Sequence, residues 1–249
     1  MNNYSQHVVL DLFAGTGFGV ALREMGVQEH AVDIMPEVAA VRARNGMGLA
    51  YEDVWDIHRA IGLWFETLIG GPPCPTFSTA GKGSGRAQMP LILEAILERS
   101  LWKNIDALRD WADALEDQRT GLVLVPLAYA WEFTPDYILL EQVPTVLPIW
   151  QAYEVVLQEM GYHTWSGILN AEQYGVPQTR KRAFLMARRQ PLGPVAPPIP
   201  THSKYYSHDP RRLDSGVQKW VSMAQALDGV ADRPTDRPTD LRRQSRVAA

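Results

Sequence analysis

The sequence of 249 residues contains a single cysteine and lacks long apolar runs. One cysteine, Cys74, excludes an intrachain disulfide, which fits a reducing compartment. No stretch approaches the roughly 18 consecutive apolar residues of a membrane-spanning helix, and the first residues have neither the basic nor the apolar region of a secretory signal. We therefore expect a soluble, cytoplasmic protein with one substantial core and no metal site.

Positive charge is scarce in the first two thirds of the chain. Residues 1–169 carry 10 Lys and Arg against 21 Asp and Glu, whereas residues 170–249 carry 14 against 7. The basic end is either a solvated tail or a region that contacts phosphates, and charge alone does not separate these interpretations.

Short apolar runs alternate with helical patterns, which predicts an α/β fold: a Rossmann-like, doubly wound, mostly parallel sheet. The predicted strands cover residues 8–13, 30–33, 49–54, 64–69, 137–141, 163–169 and 183–187. The predicted helices cover residues 20–25, 36–44, 90–115, 122–133 and 146–160.

We expect residues 1–190 to form one folded domain. Residues 191–249 are rich in proline, with one short helical pattern at 220–227, and then repeat Asp-Arg-Pro-Thr twice from residue 232. Alternating charge with regular proline cannot pack a core, so residues 191–249 are predicted to be a largely disordered linker.

A glycine-rich turn, Ala14 to Gly19, separates the first predicted strand from its helix, and Gly15 and Gly17 would let the backbone approach a ligand closely. Asp33 could accept hydrogen bonds from ribose hydroxyls. Asp53 could bind an adenine amino group or cap the next helix. A dinucleotide site is one interpretation. A ligand with a ribose but no phosphate, such as S-adenosylmethionine, fits the glycine spacing better.

Cys74 follows the predicted strand 64–69 in the run Gly70-Gly71-Pro72-Pro73-Cys74. Two prolines fix φ and two glycines permit a sharp bend, so the thiol would lie at a rigid turn beyond the sheet edge, where α/β sheets bind ligands. The alternative is a buried cysteine that acts as a small apolar side chain.

Glu141 ends the fifth predicted strand, at the same sheet edge as Cys74. Arg180 and Arg182 open the last strand, where side chains two residues apart share a face. Glu141 could instead cap a helix, and the arginines could form a solvated edge. A thiol, a carboxylate and two guanidinium groups at one edge favour a reactive site.

Residues 8–188 resemble the cytosine-C5 DNA methyltransferase family. The resemblance rests on four motifs in the family's order, namely Asp11-Leu12-Phe13-Ala14-Gly15-x-Gly17, Pro72-Pro73-Cys74 with Phe77-Ser78, Glu141-x-Val143, and Gln178-x-Arg180-x-Arg182. Two positions depart from the family: Pro75 stands where Gln is usual, and Gln142 where Asn is usual. Neither departure removes a reacting group, but Gln142 bears on the positioning of the target base.

The resemblance implies the S-adenosylmethionine-dependent methyltransferase fold, with S-adenosylmethionine as cofactor and double-stranded DNA as partner. Cys74 would add to cytosine C6, aided by Arg182 with Arg180 beside it, and Glu141 would bind cytosine N3. The implied cofactor-binding residues are Phe13, Ala14, Gly15, Gly17, Asp33, Ile34, Asp53, Val54 and Pro73. The implied substrate-binding residues are Ser78, Lys82, Arg86 and Gln178, the first three on a loop that would close over a flipped base.

Family members continue into a target-recognition domain and a closing segment, and neither is identifiable here. We therefore expect either a truncated enzyme or one half of a split enzyme whose second polypeptide recognises the DNA sequence. Two further interpretations stay open: an inactive remnant that binds the cofactor and modulates a methylation system, and a cytosine-C5 methyltransferase that acts on RNA.

Overall fold

The computed structural model describes residues 7–60, 62–73, 87–205 and 210–228. The chain divides into two compact units, the first of residues 1–169 and 181–199, the second of residues 170–180 and 200–249. The domain boundary expected at residue 190 stays a prediction. Of the helices in the described ranges, none is both long enough and apolar enough to cross a membrane.

Several predicted features lie outside the described residues. These are Cys74, Ser78, Lys82, Arg86 and the repeat-containing tail from residue 229. Their predicted roles stay predictions.

The first unit is built on a six-stranded sheet with the order β2-β1-β3-β4-β6-β5. Strand β1 is parallel to β2 and β3, and β3 is parallel to β4, whereas β6 is antiparallel to β4. The mostly parallel sheet predicted from the sequence is confirmed. The strands are β1 (Val8–Leu12), β2 (Gln28–Val32), β3 (Thr67–Gly70), β4 (Tyr137–Gln142), β5 (Tyr162–Asn170) and β6 (Lys181–Arg189).

Burial explains the strand sequences. All five residues of β1 are buried, which accounts for its nearly unbroken apolar sequence. The first unit's helices supply the rest of the core. They are α1 (Gly17–Met25), α2 (Pro36–Arg44), α3 (Met89–Glu98), α4 (Ile105–Asp113), α5 (Val125–Phe133) and α6 (Leu147–Glu159).

The predicted helix over residues 90–115 is wrong in its continuity. Helix α3 ends at Glu98, because the next residue, Arg99, has a left-handed φ of 61°, and a short 3₁₀ turn follows. Helix α4 then starts afresh, because the Asn104 side chain accepts a hydrogen bond from the Ala107 amide and caps it. Likewise, the first part of the helix predicted over residues 122–133 is a 3₁₀ helix, Gln118–Leu124.

The strand predicted over residues 49–54 is also wrong. This segment makes only an isolated bridge between Tyr51 and Val32. The Asp53 Oδ1 atom accepts a hydrogen bond from the Trp55 amide at 2.9 Å, which turns the chain away from the sheet.

In the described residues of the second unit, the helical elements are short. These are the 3₁₀ turns Ala171–Tyr174 and Pro210–Arg212, and helix α7 (Met223–Leu227). Ser222 and Gln225 form a capping box at the start of α7, which explains the helical pattern predicted there.

Candidate active site

A cavity of about 360 Å³ opens beyond the ends of β1, β2 and β3 in the first unit. Six of the predicted cofactor-binding residues line it: Phe13, Asp33, Ile34, Asp53, Val54 and Pro73. Five lining residues were not predicted: Met35, Glu52, Trp55, Gly71 and Leu122. Met35, Glu52 and Trp55 are next to predicted residues in the sequence, whereas no sequence signal marks Leu122.

The glycine-rich turn adopts a constrained conformation above this cavity. Phe13 has a φ of 59° and Gly15 a φ of 51°, and the Ala14 amide donates to the Val32 carbonyl at 2.9 Å. A left-handed phenylalanine is uncommon and is retained where the surroundings enforce it, often at functional sites. Ala14, Gly15 and Gly17 shape this turn without lining the cavity, so their contact with a cofactor stays a prediction.

Asp33 ties the end of β2 to the glycine-rich turn. Its Oδ2 atom accepts from the Gly15 amide and its Oδ1 atom from the Met35 amide, both at 2.9 Å. A carboxylate has about four acceptor positions, so Asp33 retains acceptor capacity toward a ligand.

A buried guanidinium group supports the turn from below. Arg42 is fully buried; it donates from Nη1 to the Gly15 carbonyl at 3.1 Å and from Nε to the Gly48 carbonyl at 3.0 Å. Its Nη2 atom lies 2.5 Å from Glu29 Oε2. No sequence pattern indicated this pair, because residues 29 and 42 belong to different elements.

A second buried acid lies close to this pair. Neither carboxylate oxygen of Asp11 has a hydrogen-bond partner within the described residues, and the same holds for Glu29 Oε1. Burial, followed by repulsion from Glu29, raises the pKa of Asp11 to about 9. The raised pKa favours the protonated form of Asp11, which avoids a second buried negative charge beside Glu29.

Glu141 and Arg182 meet at the other side of the sheet edge. Glu141 Oε1 lies 2.7 Å from Arg182 Nε, and Arg182 Nη1 donates to the Lys181 carbonyl at 2.8 Å. A Cβ atom placed on Gly71 would lie 3.8 Å from Glu141 Oε2. The ion pair thus lies next to the segment that leads into Cys74.

Arg180 lies outside the last strand, which it was predicted to open together with Arg182. Strand β6 begins at Lys181, so the alternation of side chains along a strand places Arg182 but not Arg180. Arg180 and Gln178 belong to the second unit, where both side chains are exposed.

The fold is that of S-adenosylmethionine-dependent methyltransferases. A prophage-encoded Escherichia coli protein, proposed to be a DNA modification methyltransferase, has a solved structure that superposes with a TM-score of 0.53 at 18% identity. That match covers 89% of this chain and 54% of the other.

The chain belongs to the C-5 cytosine-specific DNA methylase family, whose profile matches residues 8–97 and 112–234. The type II methyltransferase M.AplI of Arthrospira platensis is 29% identical over 188 residues, which is 74% of this chain and 46% of that protein. The type II methyltransferase M1.HgaI of Avibacterium volantium is 29% identical over 210 residues, covering 73% of this chain and 50% of that protein. The chain thus spans about half the length of these relatives.

Proposed function

We propose that the protein transfers a methyl group from S-adenosylmethionine to C5 of cytosine in double-stranded DNA. The observation that carries this proposal is the Glu141–Arg182 ion pair, which lies beside the segment leading into Cys74. A carboxylate, a guanidinium group and a thiol are the groups that this chemistry needs, and family membership supports the same assignment.

The cavity residues fit S-adenosylmethionine. Ile34 and Met35, 71% and 53% exposed, are adjacent apolar side chains at the cavity wall, which a bound ligand would cover. Asp33 would accept hydrogen bonds from the ribose hydroxyls, and Asp53 from the adenine amino group. When bound, the cofactor would supply an electrophilic methyl carbon to cytosine C5, with its sulfonium sulfur leaving as a neutral thioether.

Cytosine C5 is a weak nucleophile, and the protein's own groups activate it. The Cys74 thiolate adds to C6, which makes C5 enamine-like. Glu141 hydrogen-bonds or protonates N3 as the thiolate adds, and so accommodates the electrons displaced into the ring. Arg182 orients the Glu141 carboxylate. Loss of the C5 proton and β-elimination of the thiolate then restore the aromatic ring and the free enzyme.

The target base must leave the duplex before Cys74 can reach C6, at a cost of a few kcal/mol. We assign Ser78, Lys82 and Arg86 to a loop that closes over the flipped base, and Gln178 to DNA contacts. The catalytic role expected for Arg180 stays a prediction. The basic composition of residues 170–249 supports phosphate binding there. The second polypeptide that the sequence suggests stays a prediction.

The test is transfer of labelled methyl from S-adenosylmethionine to mixed-sequence duplex DNA, with the 249-residue chain and Cys74→Ser side by side. Incorporation at cytosine C5 by the wild type alone is expected. Cofactor binding without any transfer would point to a chain that needs a second polypeptide or to a binding modulator, and transfer only to RNA of the same sequence would change the substrate.

A further inference from the structure

Gln142 connects the end of β4 to the segment that leads into Cys74. Its side chain is buried, with 2% of its surface exposed. The Nε2 atom donates to the Pro72 carbonyl at 2.5 Å, and the Oε1 atom accepts from the Val143 amide. Pro72 is buried as well, so no solvent replaces this donor.

Backbone pairing between β3 and β4 cannot connect Gln142 to Pro72. Strand β3 ends at Gly70, opposite Leu140 of β4, while β4 continues to Gln142. Beyond Gly71, Pro72 and Pro73 have no N–H group, so a backbone ladder between the two strands cannot continue. The amide side chain of Gln142 supplies a donor at the point where the backbone pairing ends.

We propose that Gln142 is a positioning residue for the reactive thiol: it anchors the Pro72 carbonyl and thereby orients the two-residue connection to Cys74 relative to Glu141. Gln142 is adjacent to Glu141 in β4, and the Gly71 backbone passes close to the Glu141 carboxylate. One side chain therefore connects the strand that carries Glu141 with the segment that leads toward Cys74. This inference rests on the proposed function.

The length of the side chain is essential to this role. An asparagine, which the resembling family usually has at this position, is shorter by one methylene, about 1.5 Å. From the same backbone position it could not bond both the Pro72 carbonyl and the Val143 amide. Gln142→Asn, although it restores the usual residue, should therefore slow this enzyme.

Two variants test the hydrogen bond from Gln142 to the Pro72 carbonyl in different ways. Gln142→Asn shortens the side chain, whereas Gln142→Glu keeps its length and its acceptor toward Val143 but places a carboxylate oxygen against the Pro72 carbonyl. Gln151→Asn, an exposed change on α6, is the matched control. We expect at least a tenfold lower kcat for both Gln142 variants, KM values for S-adenosylmethionine and DNA within about twofold of wild type, and no change for the control.

A second readout does not depend on methyl transfer. The Gly71 amide donates to the Leu12 carbonyl at 3.3 Å, and the following prolines have no amide hydrogen. Deuterium uptake of a peptide covering residues 67–73 therefore reports on β3 and Gly71 alone. Loss of the Pro72 anchor should accelerate this exchange at least tenfold in both variants but not in Gln151→Asn.

The outcomes are distinguishable. If the wild-type chain transfers no methyl group, the proposed function fails, while the exchange result still decides whether Gln142 anchors this segment. Wild-type kcat or wild-type exchange in the Gln142 variants overturns the positioning role. A raised KM for S-adenosylmethionine with normal kcat also overturns it, because Gln142 would then support the cavity instead. If Gln142→Asn lost the circular dichroism of the folded protein, Gln142→Glu would carry the test.

Discussion

Arg182 Nε and Glu141 Oε1 lie 2.7 Å apart, on antiparallel strands. In the register of β4 with β6, Gln142 faces Ala183, so Arg182 is near the last residues of β4. Only an antiparallel β6 can place Arg182, near its start, beside Glu141, near the end of β4. A parallel strand would bring its final residues to this edge instead. The antiparallel insertion therefore delivers a guanidinium group to the edge where β3 and β4 end.

Removing either partner of this pair should impair catalysis without weakening cofactor binding. Glu141→Gln should lower kcat by about 10²–10⁴-fold, the usual contribution of a positioned acid or base. Arg182→Met should cause a smaller loss, and Arg182→Lys should restore part of it. Single-turnover kinetics would measure the chemical step, and calorimetric titration with S-adenosylmethionine would check binding.

A second ion pair, between the last residue of β6 and the residue that precedes β4, provides the matched control. Arg189 Nε lies 3.4 Å from Asp136 Oδ1, at the opposite edge of the sheet. Arg189→Met and Asp136→Asn should leave kcat near the wild-type value. Equal losses at the two pairs would mean that the Glu141–Arg182 pair acts through stability alone.

Asp33→Asn should weaken cofactor binding. Both Asp33 oxygens accept backbone amides, and an asparagine would turn an N–H group toward one of those donors. The displaced side chain would also lose its charged hydrogen bond to the ribose of the cofactor. Losing such a bond costs about 1.5–3 kcal/mol, which corresponds to a Kd for S-adenosylmethionine raised about 10- to 150-fold. Calorimetric titration measures this change, with Asp56→Asn as the control because Asp56 is exposed and outside the cavity lining. An unchanged Kd would remove Asp33 from the cofactor site.

The sequence was most informative where one residue type is required at the end of a strand. Asp33 was predicted because it ends an apolar run, whereas Phe13 and Pro73 were implied by the family resemblance, and all three line the cavity. Glu141 was predicted at this edge because it ends a strand and Arg182 because it opens one, and the structure brings them together.

Contacts made by tertiary packing were not predictable from the sequence. Arg42 belongs to an ordinary surface-like helical pattern, yet its side chain is fully buried against Glu29. Leu122 reaches the cavity from a 3₁₀ helix far away in the sequence. The predicted strand at residues 49–54 is wrong because the Asp53 carboxylate accepts a hydrogen bond from the Trp55 amide where sheet pairing was expected, and a hydrophobic pattern does not reveal such bonds.

The buried carboxyl of Asp11 should make stability depend on pH. Burial and Glu29 raise its pKa from 3.8 to about 9, so the folded protein holds a proton that the unfolded chain has already released. The contribution of this bound proton to the free energy of unfolding is complete below about pH 3.8. It is lost progressively as the pH rises toward about 9. Wild type should therefore become less stable, relative to Asp11→Asn, as pH rises.

Thermal unfolding of both proteins at about pH 5.5 and about pH 8.5 measures this difference. Asparagine suits the comparison because it cannot ionise and can donate a hydrogen bond to Glu29, as a protonated Asp11 would. The midpoint of Asp11→Asn minus that of wild type should increase with pH. A difference that stays constant over this range would mean that Asp11 is ionised in the folded protein.

Two glycines of α1 should respond oppositely to alanine, because only one packs against the buried pair. A Cβ atom on Gly19 would lie 2.8 Å from Arg42 Nη1 and 3.0 Å from Glu29 Oε1, whereas one on Gly17 would meet nothing within 4 Å. Gly19→Ala should cost about 1–3 kcal/mol of unfolding free energy, the usual penalty of overpacking. Gly17→Ala should be neutral or slightly stabilising, since alanine favours helix.

Urea unfolding without cofactor separates this packing effect from any effect on binding. Because Arg42 also holds the Gly15 carbonyl, Gly19→Ala should additionally raise the Kd for S-adenosylmethionine. If Gly19→Ala and Gly17→Ala were equally stable, the Arg42 guanidinium group would move aside without a cost in unfolding free energy. The Arg42–Glu29 pair would then not be what holds the glycine-rich turn in place. The Asp33 carboxylate, which accepts from the Gly15 amide, would have to hold it instead.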